Sequence, residues 1–175
     1  MPFRGQYAVV ERGPQPLGYF LDTDSTGRIR QPERLPAAAL LDREGNQVLG
    51  FEYRQLSLLE GDLLLASRRT HTGTGVITVT GKVVLPFEYV NLRYLGHDLF
   101  MDNNGTVDEE VLVVNRNGQV LFHRQDVGMP GGEYEFGVLH VRTEKLSKSG
   151  LLDVAGHWVV LPIYDMISSF EQIVR

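Results

Sequence analysis

The stretch Gly150–Phe170, GLLDVAGHWVVLPIYDMISSF, decides the fold because its pattern returns along the chain. One glycine of this stretch recurs at intervals of 36, 37 and 38 residues, as Gly45, Gly81, Gly118 and Gly156. Three positions before these glycines the chain carries Asp42, Thr78, Asn115 and Asp153. A fixed period of about 20–50 residues is typical of tandem structural repeats. The sequence therefore predicts a repeat protein.

Each turn glycine lies between two apolar runs, and this arrangement predicts a β-hairpin. The polar side chain before the glycine can accept a backbone hydrogen bond, and the glycine can adopt the positive φ that closes the turn. The predicted first strands are Val76–Val79, Val111–Val114 and Leu151–Val154, and the second strands are Lys82–Leu85, Gln119–Phe122 and Trp158–Leu161. Pro86 and Pro162 are expected to end the second strand, because proline cannot donate to a ladder.

Three apolar residues spaced by three follow the second strand in three of the repeats. The triplets are Tyr53-Leu56-Leu59, Tyr89-Leu92-Leu95 and Tyr164-Ile167-Phe170. A period of three predicts a helical or 3₁₀ turn that directs these side chains into the core. A third strand is predicted next, at Leu63–Ala66, Leu99–Met101 and Gly137–Val141. The fold class is thus all-β, with each repeat formed by three short antiparallel strands and a helical turn.

The repeats fill the chain, so we predict a single domain over residues 1–175. It contains a degenerate repeat at 1–36 and further repeats at about 37–67, 75–102, 111–141 and 150–175. The sequence begins and ends at nearly the same repeat phase, which fits a closed, propeller-like ring, and an open β-repeat stack is the alternative. In the third repeat His123–Glu135 replaces the tyrosine segment, either as a surface loop or as a functional insertion.

Composition limits the classes of function. The net charge of −5 argues against a nucleic-acid partner, whose binders usually carry a basic surface. The absence of cysteine excludes disulfides and thiolate metal sites. No apolar run approaches the roughly 18 residues of a membrane span, and the N-terminus lacks a signal-peptide pattern. We therefore expect a cytoplasmic protein with no membrane partner.

The last repeat resembles the WG, or KWG, repeat of bacterial proteins. That family pattern runs Gly-φ-Ile-Asp-x-x-Gly, then Trp, then φ-φ-Pro-Pro-x-Tyr-Asp, and it is matched by Gly150, Asp153, Gly156, Trp158, Pro162, Tyr164 and Asp165. The second repeat matches at Gly75, Gly81, Pro86 and Tyr89, and the first at Asp42, Gly45 and Tyr53. The resemblance implies a bacterial, β-rich repeat protein with an interaction or binding role and without an active site.

The residues themselves predict neither a catalytic group nor a metal site nor a cofactor. No two of the five histidines stand at a metal-binding spacing. His97-Asp98 could orient an imidazole for base catalysis, but no nucleophile accompanies it. We therefore expect a protein that is not an enzyme.

The loops that join consecutive repeats are the candidate binding surface, because equivalent loops of a repeat protein emerge on one side. One loop is basic and the next is acidic; their charged residues are Arg68, Arg69, His71, Asp102, Asp108, Glu109 and Glu110. Such contrast suits recognition of a charged protein partner. A solvated rim of mixed charge is the alternative.

Two functions remain from the sequence. The first is a non-catalytic module that binds a protein or peptide, such as an adaptor or an immunity-type protein of a bacterium. The second is a small-ligand or glycan-binding β-repeat protein that uses aromatic rings such as Tyr94, Tyr134 and Trp158. The oligomeric state, the partner's identity and the role of His123–Glu135 stay open at this point.

Overall fold

The computed structural model describes residues 5–13, 37–70, 72–103, 111–127, 134–135, 137–143 and 147–167. Every regular element in these ranges is a β-strand, so the all-β prediction is confirmed. The strands are β1 Tyr7–Arg12, β2 Ala37–Asp42, β3 Gln47–Leu58, β4 Leu63–Arg68, β5 Thr74–Thr78, β6 Val83–Tyr89, β7 Arg93–Gly96, β8 Leu99–Asn103, β9 Val111–Asn115, β10 Val120–Arg124, β11 Tyr134–Glu135, β12 Val138–Thr143, β13 Lys148–Asp153 and β14 Trp158–Tyr164. Across these described ranges, no helix is long and apolar enough to cross a bilayer.

The chain divides into two compact units, Met1–Glu88 and Tyr89–Arg175. The first unit contains a six-stranded sheet in the order β1-β2-β3-β4-β5-β6, and the second contains two four-stranded sheets, β10-β9-β8-β7 and β11-β12-β13-β14. Within each sheet the neighbouring strands are consecutive in the chain and pair in antiparallel registers such as Leu64↔Ile77 and Leu139↔Leu152. The prediction of a single domain and the choice between a ring and an open stack stay predictions. Residues 14–36 of the degenerate repeat lie outside the described ranges.

The four predicted hairpin turns are confirmed. Gly45, Gly81, Gly118 and Gly156 have φ values of 85°, 85°, 75° and 80°. Each donates its N–H to the carbonyl oxygen three residues earlier, over 2.9–3.2 Å. The polar side chain at that earlier position accepts from the backbone N–H four residues on, as Asp153 Oδ1 does from His157 at 2.9 Å. Local chemistry alone therefore specifies these turns.

The strand after each turn is longer than expected in two repeats, and the prediction that proline ends it is wrong. Pro86 lies inside β6 and Pro162 inside β14. Both strands are at the edge of their sheet, where a missing N–H costs no ladder hydrogen bond. Opposite Pro162 the register of β13 and β14 shifts between Ser149 and Leu151, so the proline also lies at a bulge.

The predicted helical turn is also wrong in the first two repeats, although all of its apolar residues there are buried except Leu59, which is half-buried. In the first repeat Tyr53 and Leu56 lie within β3 and are 3% and 4% exposed. A register shift between Tyr53 and Gln55 places Leu56 on the buried side, which produces a spacing of three in a strand. In the second repeat β6 ends at Tyr89 and the chain bends before β7. In the last repeat Tyr164 is 51% exposed, and Phe170 lies outside the described ranges.

Each unit has its own hydrophobic core. In the first unit the core residues alternate along β2 to β5 and are Ala38, Leu40, Leu49, Tyr53, Leu56, Leu64, Ala66, Ile77 and Val79. In the second unit the two sheets share a core of Leu95, Leu99, Met101, Val111, Val113, Phe122, Val127, Leu139, Val141 and Leu152. Val127 belongs to the segment His123–Glu135 and is fully buried, so at least this part of the irregular segment serves packing.

Candidate functional site

The structure separates the sequence-predicted binding residues. Arg68 is the last residue of β4, and Arg69 follows it in an exposed turn. His71, Asp108, Glu109 and Glu110 lie outside the described residues. Asp102 lies in β8 and is only 6% exposed. The described part of the predicted surface is therefore the pair Arg68 and Arg69.

Asp102 has a structural role in the second unit. Its two carboxylate oxygens accept the backbone N–H groups of Asn91 at 2.7 Å and Val90 at 3.4 Å. These contacts hold the bend that follows Tyr89, where a helical turn was predicted. A buried carboxylate satisfied by two backbone donors presents little to a partner. We therefore leave Asp102 out of the candidate site.

An open cavity of about 540 Å³ lies beside the two arginines, and its described walls are Glu52, Arg68, Arg69 and Thr70. The antiparallel pairing of β3 and β4 brings Glu52 close to the two arginines, because the register places its neighbour Tyr53 opposite Arg68. The backbone N–H of Arg69 also donates to the carbonyl oxygen of Glu52 at 3.2 Å. This bond continues the β3–β4 contact beyond the strand and positions the loop that carries Arg69 and Thr70.

The guanidinium of Arg68 is held in place. Its central carbon lies 4.4 Å from the centre of the Phe87 ring, which is a cation–π contact. Arg68 also stands directly opposite Tyr53 on the neighbouring strand and interacts with its side chain. Burial raises the pKa of Tyr53, as does the nearby charge of Glu52, while the Arg68 charge acts in the opposite direction. The Tyr53 hydroxyl is therefore neutral at physiological pH.

The contact between Arg68 and the Phe87 ring has an equivalent in the preceding repeat. Arg12, the last residue of β1, lies 4.2 Å from the ring of Phe51, and Phe51 and Phe87 occupy the same repeat position. A small residue stands at the same repeat position in both cases, Ala37 at the start of β2 and Gly73 just before β5. A Cβ at Gly73 would approach the Phe87 carbonyl oxygen to 2.3 Å, so glycine is required there. Glu52 and Thr70 were missed from the sequence. The equivalent repeat positions of Arg12 and Arg68 were a detectable signal for the two stacks only.

The cavity can pair charges and donate hydrogen bonds. Two guanidinium groups and a hydroxyl favour an anionic group such as a carboxylate, and Glu52 favours a cationic neighbour beside it. Within the described ranges no group of three or more His, Asp or Glu side chains is arranged to hold a metal ion.

Other candidate residues have packing roles. Tyr134 and Trp158 are partly buried and pack against the core of the second unit, and Tyr94 packs against Phe100 with ring centres 5.2 Å apart. His97 and Asp98 form the tight turn between β7 and β8, with φ values of 51° and 60°. These observations account for the aromatic rings and for the His97-Asp98 pair without a ligand.

Comparison with known proteins gives one family match. A family model described as "WG containing repeat" matches residues 150–172. The comparison with curated proteins found no match. One solved structure to which the fold is similar is that of BamB from Moraxella catarrhalis, with 16% sequence identity and a TM-score of 0.44. The alignment covers 70% of this chain and 41% of BamB, so the chain spans less than half of that protein's length. The resemblance drawn from the sequence is thus confirmed for the last repeat, and residues 150–172 form a WG repeat within an all-β protein.

Proposed function

We propose that this protein is a non-catalytic binding module that recognises an acidic segment of a protein or peptide partner through the cavity beside Arg68 and Arg69. The observation that carries the proposal is that Arg68 is fixed at the cavity by a ring, a tyrosine and strand pairing. A charged side chain that is already ordered loses less conformational entropy when it binds.

Charge complementarity supports an acidic partner. Arg69 is exposed next to the fixed guanidinium of Arg68, so a carboxylate in the cavity meets two positive charges. Glu52 is also a wall of the cavity and repels a partner whose negative charges extend toward it. A peptide with one or two carboxylates followed by a neutral or basic residue fits this arrangement better than a uniformly acidic one.

The test uses the purified protein and an array of short peptides in which Asp or Glu stands beside neutral or basic residues. Each peptide has a matched version with Asn or Gln in place of the acid. We expect binding to peptides that carry the acid, at least tenfold weaker binding to the amide versions, and weaker binding as the salt concentration rises.

Variants locate the site. Replacing both Arg68 and Arg69 by alanine should weaken peptide binding at least tenfold. Arg12→Ala is the matched control, because it removes the same kind of stack without removing a described wall of the cavity. Equal binding of acid and amide peptides, no binding to any peptide, or undiminished binding by the folded double variant would each refute the proposal.

A further inference from the structure

An asparagine stands directly before the turn glycine in only one of the four repeat turns. The residue at this position is Glu44, Thr80 or Ala155 in the other turns and Asn117 in the turn between β9 and β10. The Asn117 side chain is exposed to solvent. In an Asn-Gly pair the glycine nitrogen reaches the side-chain carbonyl carbon of the asparagine with little obstruction, because glycine has no Cβ and a wide choice of backbone angles.

This approach leads to a chemical change of the chain. The Gly118 nitrogen loses its proton and attacks Cγ of Asn117; an N–C bond forms, and the side-chain nitrogen takes up a proton and leaves as ammonia. The product is a succinimide ring. Water then opens the ring at either carbonyl carbon, which yields aspartate, or isoaspartate when the backbone now continues through Cβ. The net exchange is water for ammonia, and the chain gains a carboxylate without any oxidant or enzyme.

The hydrogen bonds of the turn oppose this attack. The N–H of Gly118 donates to the carbonyl oxygen of Asn115 at 2.9 Å. The Asn115 side chain holds the same segment, because its Oδ1 accepts from the backbone N–H groups of Asn117 and Gln119, each at 3.0 Å. The attack requires the Gly118 nitrogen to give up its bond and the backbone between Asn117 and Gly118 to rotate. The closed turn therefore protects Asn117.

We propose that Asn117 is a site of spontaneous deamidation whose rate is set by the opening of the β9–β10 turn. A reaction that proceeds only from a rare open state follows the population of that state, as hydrogen exchange and proteolysis do. The turn belongs to the second unit and the Arg68 cavity to the first. The modification and the binding function therefore stand or fall independently.

The isoaspartate product does not restore the turn. It adds a carbon atom to the backbone between the carbonyl of Asn115 and the N–H of Gly118, which are bonded in the closed turn. Val120 pairs with Val114 directly beyond the turn, so a longer connection disturbs the register of the two strands. We expect faster amide hydrogen exchange in β9 and β10 of the isoaspartate form, and exchange as slow as in the unmodified chain would contradict this step.

The experiment incubates the purified full chain at physiological temperature and mildly alkaline pH and follows deamidation by mass spectrometry. The tryptic peptide Asn117–Arg124 contains no other asparagine. The second Asn-Gly pair of the chain, Asn104-Gly105, lies outside the described residues and in a different tryptic peptide. The chain unfolded in urea gives the rate without the turn, and we expect it to exceed the rate of the folded chain at least about tenfold.

Variants at Asn115 test the protecting bonds. Asn115→Ala removes the side-chain acceptor and should raise the deamidation rate of the folded chain about fivefold, the change in open population expected when one net hydrogen bond is lost. Asn115→Asp is the matched control and should not raise the rate, because Asp42 and Asp153 form the same bond at this repeat position.

Equal rates in the folded and the unfolded wild-type chain would overturn the proposal, because the turn would then give no protection. This comparison needs no variant, so it decides the matter even if Asn115→Ala does not fold. A folded Asn115→Ala variant, checked by circular dichroism, that reacts no faster than Asn115→Asp would also reject control by the turn. No conversion of Asn117 even in the unfolded chain would show that the site does not exist.

Discussion

Gly150→Ala tests the close approach of the two strands in the last hairpin. Gly150 lies in β13, and an added Cβ would come within 2.8 Å of the Val160 carbonyl oxygen and 3.0 Å of the Pro162 nitrogen. The Trp158 ring would lie 2.6 Å away. The ring can rotate, but the two backbone atoms move only if β14 moves. Because an optimum contact between carbon atoms is about 3.5–4.0 Å, the strands must separate locally by roughly half an ångström or more.

The expected cost follows from two opposing effects. Overpacking a tight site costs about 1–3 kcal/mol. Alanine also restricts the unfolded chain, which offsets about 0.4–1 kcal/mol of that cost. We therefore expect a net loss of about 1–2 kcal/mol, which lowers the urea midpoint by roughly 0.5–1 M. The fluorescence of Trp158, the single tryptophan of the chain, reports the unfolding of this hairpin.

The first repeat supplies the matched control. Ala39 stands at the position of Gly150, is fully buried, and faces the same kind of register shift. Ala39→Gly should cost only about 0.5–1 kcal/mol, the usual penalty for glycine inside a strand. Circular dichroism in urea measures this variant, because Trp158 belongs to the other unit. If Gly150→Ala is as stable as the wild type and the Trp158 emission is unchanged, the reasoning about strand approach is wrong.

Three further predictions concern side chains that hold the second unit together. Hydrogen bonds from the backbone N–H groups of His157 and then Ala155 lower the pKa of Asp153, against the opposing effect of desolvation. The stabilisation by the Asp153 carboxylate is therefore present above about pH 4 and is lost as the pH falls through the lowered pKa. Asp153→Asn should make the free energy of unfolding less dependent on acid pH, as measured by urea melts at a series of pH values. Asp102→Ala should cost about 1–3 kcal/mol because Asn91 loses its buried acceptor, whereas Asp102→Asn keeps an acceptor and should cost less in the same Trp158-monitored melts. Arg124→Lys should change the Trp158 emission and cost about 0.5–2 kcal/mol, because the guanidinium lies 4.7 Å from the indole centre and donates to the Gly156 carbonyl. An unchanged acid dependence, equal losses for the two Asp102 variants, or an unmoved emission would contradict the respective prediction.

The hairpins were predictable because their determinants are local. A polar residue and a glycine three positions apart specify the turn through hydrogen bonds within five residues. Asn115 forms the same bond as Asp153, which explains why the repeat tolerates either residue. The apolar runs on both sides then pair because the turn sets their register.

The triplets show where period alone misleads. A spacing of three indicates a helical turn only if the backbone is regular. In β3 a bulge after Tyr53 displaces the alternation by one residue, and Leu56 is buried in a strand. At Val90 and Asn91 a buried carboxylate from β8 holds a bend. Both devices depend on residues from a neighbouring strand, so the pattern along one segment does not distinguish them from a helix.

The sequence predicted the two arginines of the candidate site but not its glutamate. Arg68 and Arg69 are adjacent and basic, which a sequence displays directly. Glu52 lies 16 residues earlier and reaches the cavity only through the register of β3 and β4. Comparing repeat positions would have related only the two stacks, Arg12 with Phe51 and Arg68 with Phe87.

Differences between repeats are most informative at positions where the fold accepts many residue types. Turn glycines and close-approach glycines are constrained by the backbone, whereas the outward positions of the second strand accept glycine, proline, glutamate, histidine or leucine. In the first repeat one such position is Glu52, which is a wall of the Arg68 cavity. Added salt screens charges over about 10 Å at 0.1 M and should weaken peptide binding. Peptide binding that does not change as the salt concentration rises would contradict a contact controlled by charge.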